Sequence, residues 1–553
     1  MSAARQSSTE FENSRVATRL VATLLAHGSR HFFIAPGSRC TPLTLAIADR
    51  SDSVVTQHFD ERGLSYAALG FGRSTGACGI FVCTSGTAVA NALPAVVESS
   101  LDHIPMLLMT ADRPPELRDA GANQTIDQVK IFGSYPAWQF DLPCASVDIT
   151  NEFLDGTIRH AIRRTAAGPV HLNCMFREPF PPTVGAVSTE SHEFRSSELE
   201  ITHKATVHVP HGNTIVTCGH CRPAAVAAAR QLANRLACPF LCDTTSSLRD
   251  VYFDLALMRD DLPSPEVVIH VGGRIVSKRW STFLTKHPPQ HLILFTESPD
   301  RFDPLHQVTA VAEGDLVALC NGVDTETTTA AVFRTTWEQH SRQCRQVALR
   351  LIDGTSEITE PGLMVSIART TPSGSAVMVG NSMPIRDLDC FGDVRGENDV
   401  RWFANRGASG IDGIIATGVG IAKGSHRPTT VVLGDLSALH DVNSLALVRQ
   451  LEQPFVVVIV NNDGGGIFNF LPVAENTPHF ESFFGTPHGL RFKGAAAMFG
   501  LQYQQPQTMN EFSAAYENAT KTSGSTIIEV RTDRQANFQF HRQIYEAVRS
   551  SPL

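Results

Sequence analysis

The sequence predicts an α/β protein built from three doubly wound domains with parallel sheets. Three observations support this fold class. The 553 residues are too many for one hydrophobic core. Short apolar runs alternate with helical stretches along the chain, which is typical of parallel strands joined by crossover helices. Two polar stretches, residues 181–212 and 321–360, interrupt that alternation and indicate connections between domains.

Eleven apolar runs are predicted to be buried strands, and the chain divides around them into domains at residues 1–185, 186–350 and 351–553. The first and third domains share a plan, in which a strand ends in a small polar cluster and a helix follows. Helices are expected at residues 63–72, 438–450 and near 337–352. The predicted strands are residues 31–35, 80–84, 106–110, 170–174, 215–218, 267–271, 291–295, 376–379, 430–433, 455–460 and 526–530.

Composition excludes several classes of protein. The net charge of -9 argues against a nucleic-acid partner, which would favour a basic surface. No apolar stretch approaches the roughly 20 residues that cross a membrane, so no integral membrane segment is expected. The N-terminal residues lack the apolar centre of a secretory signal. We therefore expect a cytoplasmic protein.

Polar groups follow two of the predicted strands in the third domain. Gly434 and Asp435 come directly after the strand at 430–433, and Asn462 follows the strand at 455–460. The carboxyl ends of parallel strands meet at one edge of a sheet, where ligands bind. Carboxylate and amide oxygens suit magnesium, and the first amides of a following helix attract phosphate. A capped helix alone would explain Gly-Asp, but matched chemistry at two strand ends favours a metal and diphosphate site.

Glycine pairs at residues 70–72 and 418–420 raise the alternative of a dinucleotide-binding fold. Neither pair follows a convincing strand, and neither has the third glycine at the required offset. Cys218 and Cys221 have the spacing of a redox or metal motif. No second cysteine pair supports a zinc site, and packing is the favoured interpretation of these two residues.

Residues 434–437 with 462–464 resemble the signature of thiamine diphosphate enzymes. The resemblance implies that Asp435, the Asn462 side chain and the Gly464 carbonyl bind Mg²⁺ or Mn²⁺. It also implies that Gly434, Leu436 and Ser437 contact the cofactor. Leu436 stands where the wider superfamily has glycine.

Glu61 is the candidate catalytic residue. It follows the segment His58-Phe59-Asp60 and precedes a helix of small residues, where members of this superfamily carry a glutamate. The resemblance implies that its carboxylate acts on the pyrimidine ring of the cofactor as a general acid and base. The alternative is a first-turn residue favoured by the helix dipole.

Seven further segments narrow the resemblance. Together they are similar to the 2-succinyl-5-enolpyruvyl-6-hydroxy-3-cyclohexene-1-carboxylate synthases of menaquinone biosynthesis, over almost all of the first and third domains and weakly in the middle one. That family decarboxylates 2-oxoglutarate and adds the succinyl carbanion to isochorismate in a 1,4 fashion. The segments are residues 35–39, 84–91, 110–117, 121–126, 405–413, 464–468 and 484–488.

The implied substrates are multiply anionic, and arginine forks suit carboxylates. The basic candidates lie at expected strand ends or turns, where a solvated surface cation is the alternative. The resemblance places Ser38, Arg39, Arg113, Gln124 and Lys278 toward isochorismate, and Ser382, Arg386 and Arg406 toward the succinyl part or the pocket that both substrates share. Arg279 is a further candidate for substrate binding. It makes Ile411 and Ile467 apolar contacts of the cofactor, with Phe468 and Leu471 beside the substrate, although core packing would also explain these four.

Two other functions stay open from the sequence. One is an acetohydroxyacid synthase-like carboligase acting on another 2-oxo acid, and the other is a catalytically inactive scaffold homologue. The joint presence of Glu61, Asp435 and Asn462 speaks against an inactive copy. The resemblance further implies a homo-oligomer, dimer or tetramer, whose active sites are shared between subunits.

Overall fold

A computed structural model describes residues 3–180, 206–246, 253–324, 329–392 and 399–552. The chain forms two compact units. The first contains Met1–Glu198, Gly407–Thr429 and Leu439–Gln453, and the second contains Leu199–Arg406, Thr430–Ala438 and Pro454–Leu553. Most of the connection predicted at 181–212 lies outside the described residues. In the described parts, no helix is both long and apolar enough to cross a membrane.

The first sheet has six strands in the order β2-β1-β3-β4-β6-β5, and all of its neighbouring strands are parallel. Its three central strands β3, β4 and β6 are buried along their whole length. The strands are β1 His31–Ile34, β2 Val54–Gln57, β3 Gly79–Cys83, β4 Met106–Asp112, β5 Trp138–Leu142 and β6 Pro169–Met175.

Helices of the same stretch of chain alternate with these strands. The apolar side chains of the first, second and sixth helices pack with the sheet in one core, which includes Leu20, Phe32 and Ile158. The helices are α1 Ala3–Ala26, α2 Thr41–Ala48, α3 Glu61–Thr75, α4 Thr87–Ala90, α5 Leu93–Leu101 and α6 Asn151–Arg164.

The second sheet has five parallel strands in the order β11-β10-β9-β7-β8. The helix expected near 337–352 is confirmed and extends further at its N-terminus. The strands are β7 Thr214–Cys218, β8 Phe240–Cys242, β9 Val267–Val271, β10 His291–Thr296 and β11 Ala310–Glu313. The helices are α7 Pro223–Arg235, α8 Phe253–Ala256, α9 Lys278–Lys286, α10 Leu316–Asn321 and α11 Ala331–Asp353.

The third sheet has six strands in the order β13-β12-β14-β15-β17-β16. They are β12 Ala376–Val379, β13 Arg401–Phe403, β14 Thr429–Gly434, β15 Phe455–Asn461, β16 Gln502–Gln504 and β17 Ser525–Arg531. The helices are α12 Glu360–Thr370, α13 Met383–Phe391, α14 Ile414–Ser425, α15 Asp435–His440, α16 Leu445–Val448, α17 Val473–Asn476, α18 Lys493–Phe499, α19 Met509–Lys521 and α20 Arg534–Ser550.

The first and third sheets have the same strand order when each is numbered from its own first strand. In both, the winding reverses between the first and third strands, so neighbouring loops leave the sheet in opposite directions. Ligands of open α/β sheets bind in the crevice at this point, outside the carboxyl ends of the strands. In the third sheet that point is the ends of β12 and β14, and Asp435 follows β14 directly.

The single helix predicted at residues 438–450 is wrong. Helix α15 begins earlier, at Asp435, and a 3₁₀ turn at Val442–Ser444 separates it from α16. Asp441 provides the physical reason, because its carboxylate accepts hydrogen bonds from the amides of Ile415 and Ala416, at 2.7 and 3.1 Å, at the start of α14. The chain leaves the helical path to place this capping carboxylate.

Helix packing explains one glycine of each pair. Helices α3 and α14 cross within the first unit at a distance that only glycine allows. A Cβ atom on Gly70 would overlap the carbonyl oxygen of Thr417, and one on Gly420 would overlap that of Ala67. These glycines therefore serve close approach of two helix backbones, and they do not belong to a dinucleotide fingerprint.

Candidate active site

Asp435 lies where β14 passes into α15, and its side chain is buried. Its Oδ1 accepts the Leu436 amide at 2.7 Å, and its Oδ2 accepts the Gly464 amide at 2.9 Å. The Nε2 atom of His488 is 3.2 Å from the same Oδ2. Burial raises the pKa of Asp435. These contacts hold the carboxylate against the loop that follows β15.

Asn462 presents an unpaired oxygen at the same edge. Its Nδ2 donates to Oε1 of Glu360 at 2.9 Å, and Thr532 Oγ1 donates to that oxygen at 2.9 Å. The Asn462 Oδ1 is buried and has no hydrogen-bond partner among the described residues. Leaving a buried acceptor unpaired costs about 1–3 kcal/mol, so its presence indicates a ligand. Glu360 was not among the sequence candidates, and nothing in its local sequence marks it.

Gly464 completes the group of oxygen donors. Its φ of +132° lies in a region that favours glycine, and a Cβ atom there would overlap the carbonyl oxygen of Gly485. The Gly464 carbonyl accepts the Gly466 amide at 3.0 Å and retains a second lone pair. The fold thus brings a carboxylate, an amide oxygen and a backbone carbonyl together. Within the described ranges, no cluster of three or more His, Cys, Asp and Glu side chains could hold a metal ion. A cation at this edge would therefore need the carboxylate, the amide oxygen and the backbone carbonyl together.

Apolar side chains stand among the glycines of this loop. Ile467 and Phe468 lie in a 3₁₀ turn, Gly466–Phe470, and are half-buried, while Leu471 is 42% exposed. The ring of Phe468 meets that of Phe484 edge-on, with centroids 5.6 Å apart. Ile411, which belongs to the first unit, is 38% exposed. Their assignment to cofactor and substrate stays a prediction.

The loop that bears Ile411 is anchored inside the first unit. Glu98 accepts the amides of Gly407 and Ala408 at 2.9 and 2.7 Å and pairs with Arg73 at 3.0 Å. The Tyr66 hydroxyl donates to the Asp412 carboxylate at 2.8 Å. Glu98 and Tyr66 therefore hold this loop in position. The sequence did not reveal them, because the loop residues that they bind lie more than 300 residues further along the chain, for example 309 residues between Glu98 and Gly407.

The candidates for the succinyl part follow β12 and β13 in the second unit. Ser382 precedes α13 with a φ of +73°, an uncommon conformation for serine. Arg406 donates from Nη1 to Oδ1 of Asn381 at 2.7 Å, which ties the two strand ends together. Arg386 is exposed and lies within α13, so the expectation that it occupies a strand end or turn is wrong.

Two buried guanidinium groups lie at the carboxyl edge of the first sheet. Arg39 follows β1, and Arg113 follows β4; they are 5% and 8% exposed. Arg39 donates to the Phe176 carbonyl at 2.9 Å and to Glu178 Oε1 at 2.7 Å. Burial and the positive charge of Arg39 lower the pKa of Arg113. The carboxylates of Asp112 and Glu178 act in the opposite direction on that pKa.

Ser85 links Arg113 to Gln124. The Arg113 guanidinium donates to the Ser85 hydroxyl, and Gln124 Nε2 donates to the Ser85 carbonyl at 2.9 Å. Gln124 has a φ of +57°, which turns its chain back toward Ser85. Ser38 is exposed, and its carbonyl accepts the Thr41 amide at 3.1 Å. Ser85 lies in a segment that carried the resemblance, yet it was not chosen as a site residue.

Glu61 is the first residue of α3. Asp60 caps this helix, accepting the Arg62 and Gly63 amides at 3.0 and 3.4 Å, so the cap does not use Glu61. Glu61 is half-buried, and its carboxylate accepts no hydrogen bond from the parts of the chain that the structure describes. The Cys83 thiol at the end of β3 has a raised pKa. Burial is the largest cause, followed by the charge of Cys40 and then by that of Glu61. The Glu61 carboxylate is available to a ligand.

Lys278 and Arg279 begin α9, which Ser277 caps through the Trp280 amide at 3.2 Å. Lys278 is exposed. Arg279 forms an ion pair with Asp254, and its guanidinium lies 4.7 Å from the centre of the Tyr545 ring. Asp254 raises the pKa of Arg279 against the opposing effect of burial. Arg279 thus has a structural partner in the second unit, and the substrate role of both residues stays a prediction.

Comparisons with known proteins define the class. Three family models match in order: "Thiamine pyrophosphate enzyme, N-terminal TPP binding domain" at residues 14–131, "Middle domain of thiamine pyrophosphate" at 189–379 and "Thiamine pyrophosphate enzyme, C-terminal TPP binding domain" at 395–530. The solved benzoylformate decarboxylase of Polynucleobacter necessarius shares the fold, with a TM-score of 0.72 at 15% identity over 94% of this chain and 99% of its own. The chain is a thiamine diphosphate-dependent enzyme.

Curated relatives narrow the class to one family. Proteins named 2-succinyl-5-enolpyruvyl-6-hydroxy-3-cyclohexene-1-carboxylate synthase are 43% identical in Rubrobacter xylanophilus, 40% in Salinibacter ruber and 38% in Chlorobaculum tepidum. The alignments cover 95%, 96% and 95% of this chain and 96%, 95% and 95% of those proteins. The chain belongs to the 2-succinyl-5-enolpyruvyl-6-hydroxy-3-cyclohexene-1-carboxylate synthase family.

Proposed function

We propose that this enzyme decarboxylates 2-oxoglutarate and adds the succinyl unit to isochorismate in a 1,4 fashion. The observation that carries the proposal is the pair of buried guanidinium groups, Arg39 and Arg113, at the carboxyl edge of the first sheet. Arg39 is paired with Glu178, whereas the Arg113 guanidinium donates to the neutral hydroxyl of Ser85. A carboxylate of isochorismate would give Arg113 a negatively charged partner, and the planar fork of arginine matches a carboxylate.

The proposed metal is Mg²⁺ or Mn²⁺. Asp435, the Oδ1 atom of Asn462 and the Gly464 carbonyl would hold it, because hard divalent cations prefer oxygen donors. The unpaired, buried Asn462 Oδ1 supports this assignment, since the ion would supply its missing partner. The turn at residues 434–437, with Leu436 and Ser437, would lie beside the cofactor diphosphate that the ion neutralises.

When bound, thiamine diphosphate supplies a nucleophilic carbon and takes up the electron pair that decarboxylation releases. In the proposal, Glu61 exchanges a proton with the pyrimidine ring nitrogen, a task that suits a carboxylate with no competing hydrogen bond. Ile467, Phe468 and Leu471 would lower the polarity of the surroundings of a bound cofactor and keep water away from it. The resemblance assigns Ile411 of the first unit to the cofactor as well.

Polar residues would orient the two substrates separately. Ser382, Arg386 and Arg406 would take the carboxylate of the succinyl part, with Arg406 fixed by its bond to Asn381. The cluster of Arg39, Arg113 and Gln124, joined through Ser85, would take isochorismate together with Ser38. The resemblance also assigns Lys278 to isochorismate and Arg279 to substrate binding. A carboxylate bound to an arginine in this way contributes about 1.5–3 kcal/mol.

We also propose that the enzyme is a cytoplasmic homo-oligomer, dimer or tetramer, with active sites shared between subunits. The family membership of the chain supports this assembly. A two-fold interface would make two identical composite sites in each dimer.

The decisive assay is carbon dioxide release with thiamine diphosphate and Mg²⁺ present. We expect release from 2-oxoglutarate, and a product containing both carbon skeletons when isochorismate is added. Pyruvate serves as the matched control, because it lacks the distal carboxylate. Release from pyruvate that equals or exceeds release from 2-oxoglutarate would contradict the proposed substrate and favour an acetohydroxyacid synthase-like reaction.

A further inference from the structure

Two cysteines in the second sheet region lie next to each other and take no part in the proposed reaction. Cys218 is the last residue of β7, and Cys221 lies just before α7. Their sulfur atoms are 3.6 Å apart, within hydrogen-bond range for thiols. Cys218 is fully buried and Cys221 is partly exposed. The segment between them is Gly219-His220, so the pair has the spacing of redox-active dithiols.

Glycines hold the two sulfurs in this arrangement. A Cβ atom on Gly219 would overlap the carbonyl oxygen of Gly273, and one on Gly272 would be 3.0 Å from Cβ of Cys221. The Gly273 amide donates to the His220 carbonyl at 3.0 Å. The loop that joins the cysteines therefore packs closely against the loop after β9, which fixes the backbone that carries the two cysteines.

The surroundings of the pair do not form a metal site. Cys242 lies opposite Cys218 on the neighbouring strand β8. Even so, among the described residues no group of three or more His, Cys, Asp and Glu could hold a metal, whereas a structural zinc requires four ligands. None of the twelve cysteines, all of which the structure describes, is in a disulfide. Only Cys144 and Cys221 among them are not buried.

We propose that Cys218 and Cys221 form a redox-active dithiol, which hydrogen peroxide closes to an intramolecular disulfide. The favoured interpretation from sequence was packing, and the sulfur–sulfur distance changes that interpretation. Outside exceptional thermophiles, such pairs in intracellular proteins are usually transient or redox-sensing and seldom structural.

The exposure of the two thiols sets the order of the steps. Cys221, as the thiolate, attacks one peroxide oxygen; an S–O bond forms, the O–O bond breaks, and the released oxygen leaves as water after taking a proton. The Cys218 sulfur then attacks the sulfenic sulfur of Cys221. The S–S bond forms, the S–O bond breaks, and the hydroxide leaves as a second water with the Cys218 proton. The two thiols lose two electrons, which the peroxide gains.

The environment of Cys218 agrees with its role as the second thiol. Its hydrogen bond with Cys221 and its burial raise its pKa well above the ordinary value for cysteine. Cys218 therefore keeps its proton until a sulfenic acid forms beside it, whereas Cys221 is the sulfur that an oxidant reaches first.

The test treats the purified full-length enzyme with hydrogen peroxide, blocks remaining thiols by alkylation and maps the peptides by mass spectrometry. We expect the peptide that carries both cysteines to lose two hydrogen atoms and to regain them with dithiothreitol. In Cys218→Ala, the sulfenic acid at Cys221 should persist and react with dimedone, while the wild type gives little adduct. Cys144→Ser is the matched control and should leave the disulfide unchanged.

Three results would overturn the proposal. One is oxidation of Cys221 to sulfinic acid while Cys218 remains a thiol, which would show that the second step does not occur. Another is oxidation confined to Cys144. The third is zinc in stoichiometric amount in the purified wild type that is lost in Cys221→Ser, which would make the pair part of a metal site. The thermal unfolding midpoint of each variant verifies that it is folded.

Discussion

At the scale of single residues, several side chains of the candidate site are held in place by hydrogen bonds from other residues. The sequence marks Asp435, Asn462, Arg39 and Arg113 as candidates, because they follow predicted strands or lie in turns and match the family motifs. Glu360, Ser85 and Glu98 could not, because each acts through a partner that only the tertiary fold brings near. Glu360 and Asn462 are 102 residues apart, and no local pattern relates them. Buried polar partners of this kind are the part of a site that sequence reasoning misses.

Glu61→Gln should abolish turnover while cofactor and metal still bind. Glutamine preserves the shape of the side chain but cannot accept or hold a carboxyl proton. The measurements are the turnover rate and a binding titration of thiamine diphosphate with Mg²⁺. Retention of more than about a tenth of the wild-type rate, a loss below about 1.4 kcal/mol, would exclude Glu61 as the activating carboxylate.

Glu360→Ala should weaken Mg²⁺ binding, because the Glu360 side chain accepts from Nδ2 of Asn462 and so directs Oδ1 of that amide toward the ion. Loss of such a partner typically reduces metal affinity roughly 10- to 100-fold. The affinity is measured by isothermal titration in the presence of thiamine diphosphate. Glu357→Ala is the matched control, since Glu357 is exposed and lies only three residues earlier. Equal affinity in both variants would show that Glu360 does not position Asn462.

At the scale of elements, the central strands were predicted and the edge strands were missed. All eleven predicted strands are present in the structure. The six strands that the sequence did not reveal are the two edge strands of each sheet: β2, β5, β8, β11, β13 and β16. A central parallel strand is covered on both faces, so it reads as a continuous apolar run. An edge strand is shorter or partly exposed, as in β11 and its exposed Val311, and its sequence resembles that of a loop.

The first sheet contains a histidine that links its stability to pH. His171 lies on β6 and is 1% exposed; its Nε2 is 2.7 Å from Oγ1 of Thr110 on β4, and its ring meets that of Phe132 edge-on. Burial lowers the pKa of His171 to about 3, from 6.5. Between these values the unfolded chain binds a proton that the folded chain does not. The contribution of His171 to the free energy of unfolding is therefore fully present above about pH 6.5, and it is lost as the pH falls from that value toward 3.

His171→Gln should remove this dependence, since glutamine can still bond Thr110 but does not titrate. Between about pH 6.5 and 5.5, the wild type should lose about 1 kcal/mol more unfolding free energy than the variant. The measurement is the urea midpoint of both proteins at both pH values. His160→Gln, on the half-buried face of α6, is the control and should follow the wild type. Parallel pH profiles of the wild type and His171→Gln would contradict the assignment.

At the scale of the whole chain, the first and third sheets repeat one strand order although their functions differ. The sequence indicated a shared plan, and the identical order confirms that resemblance between the two. Different side chains follow the strands at the reversal of winding in each sheet: Arg39 follows β1 in the first sheet, and Asp435 follows β14 in the third. The family signature supplied the roles of these residues, because an open sheet of this kind accepts many ligands at the same edge.

The proposed sharing of active sites between subunits can be tested by complementation. If Glu61 of one subunit serves the diphosphate site of another, two inactive variants can restore each other. Asp435→Ala should lose metal and cofactor together, because this carboxylate would hold the ion that neutralises the diphosphate. Glu61→Gln should keep both. A mixed dimer of the two variants would contain one site with both lesions and one site with none.

Activity should therefore return when the two inactive proteins are mixed and allowed to exchange subunits. Random pairing makes half of the dimers mixed, so roughly a quarter of all sites should recover under two-fold symmetry. Native mass spectrometry measures the mixed dimers, and each variant incubated alone is the control. If the site lay within one subunit, every site would keep a lesion. Mixed dimers without recovered activity would then show that Glu61 and Asp435 of the same chain act together.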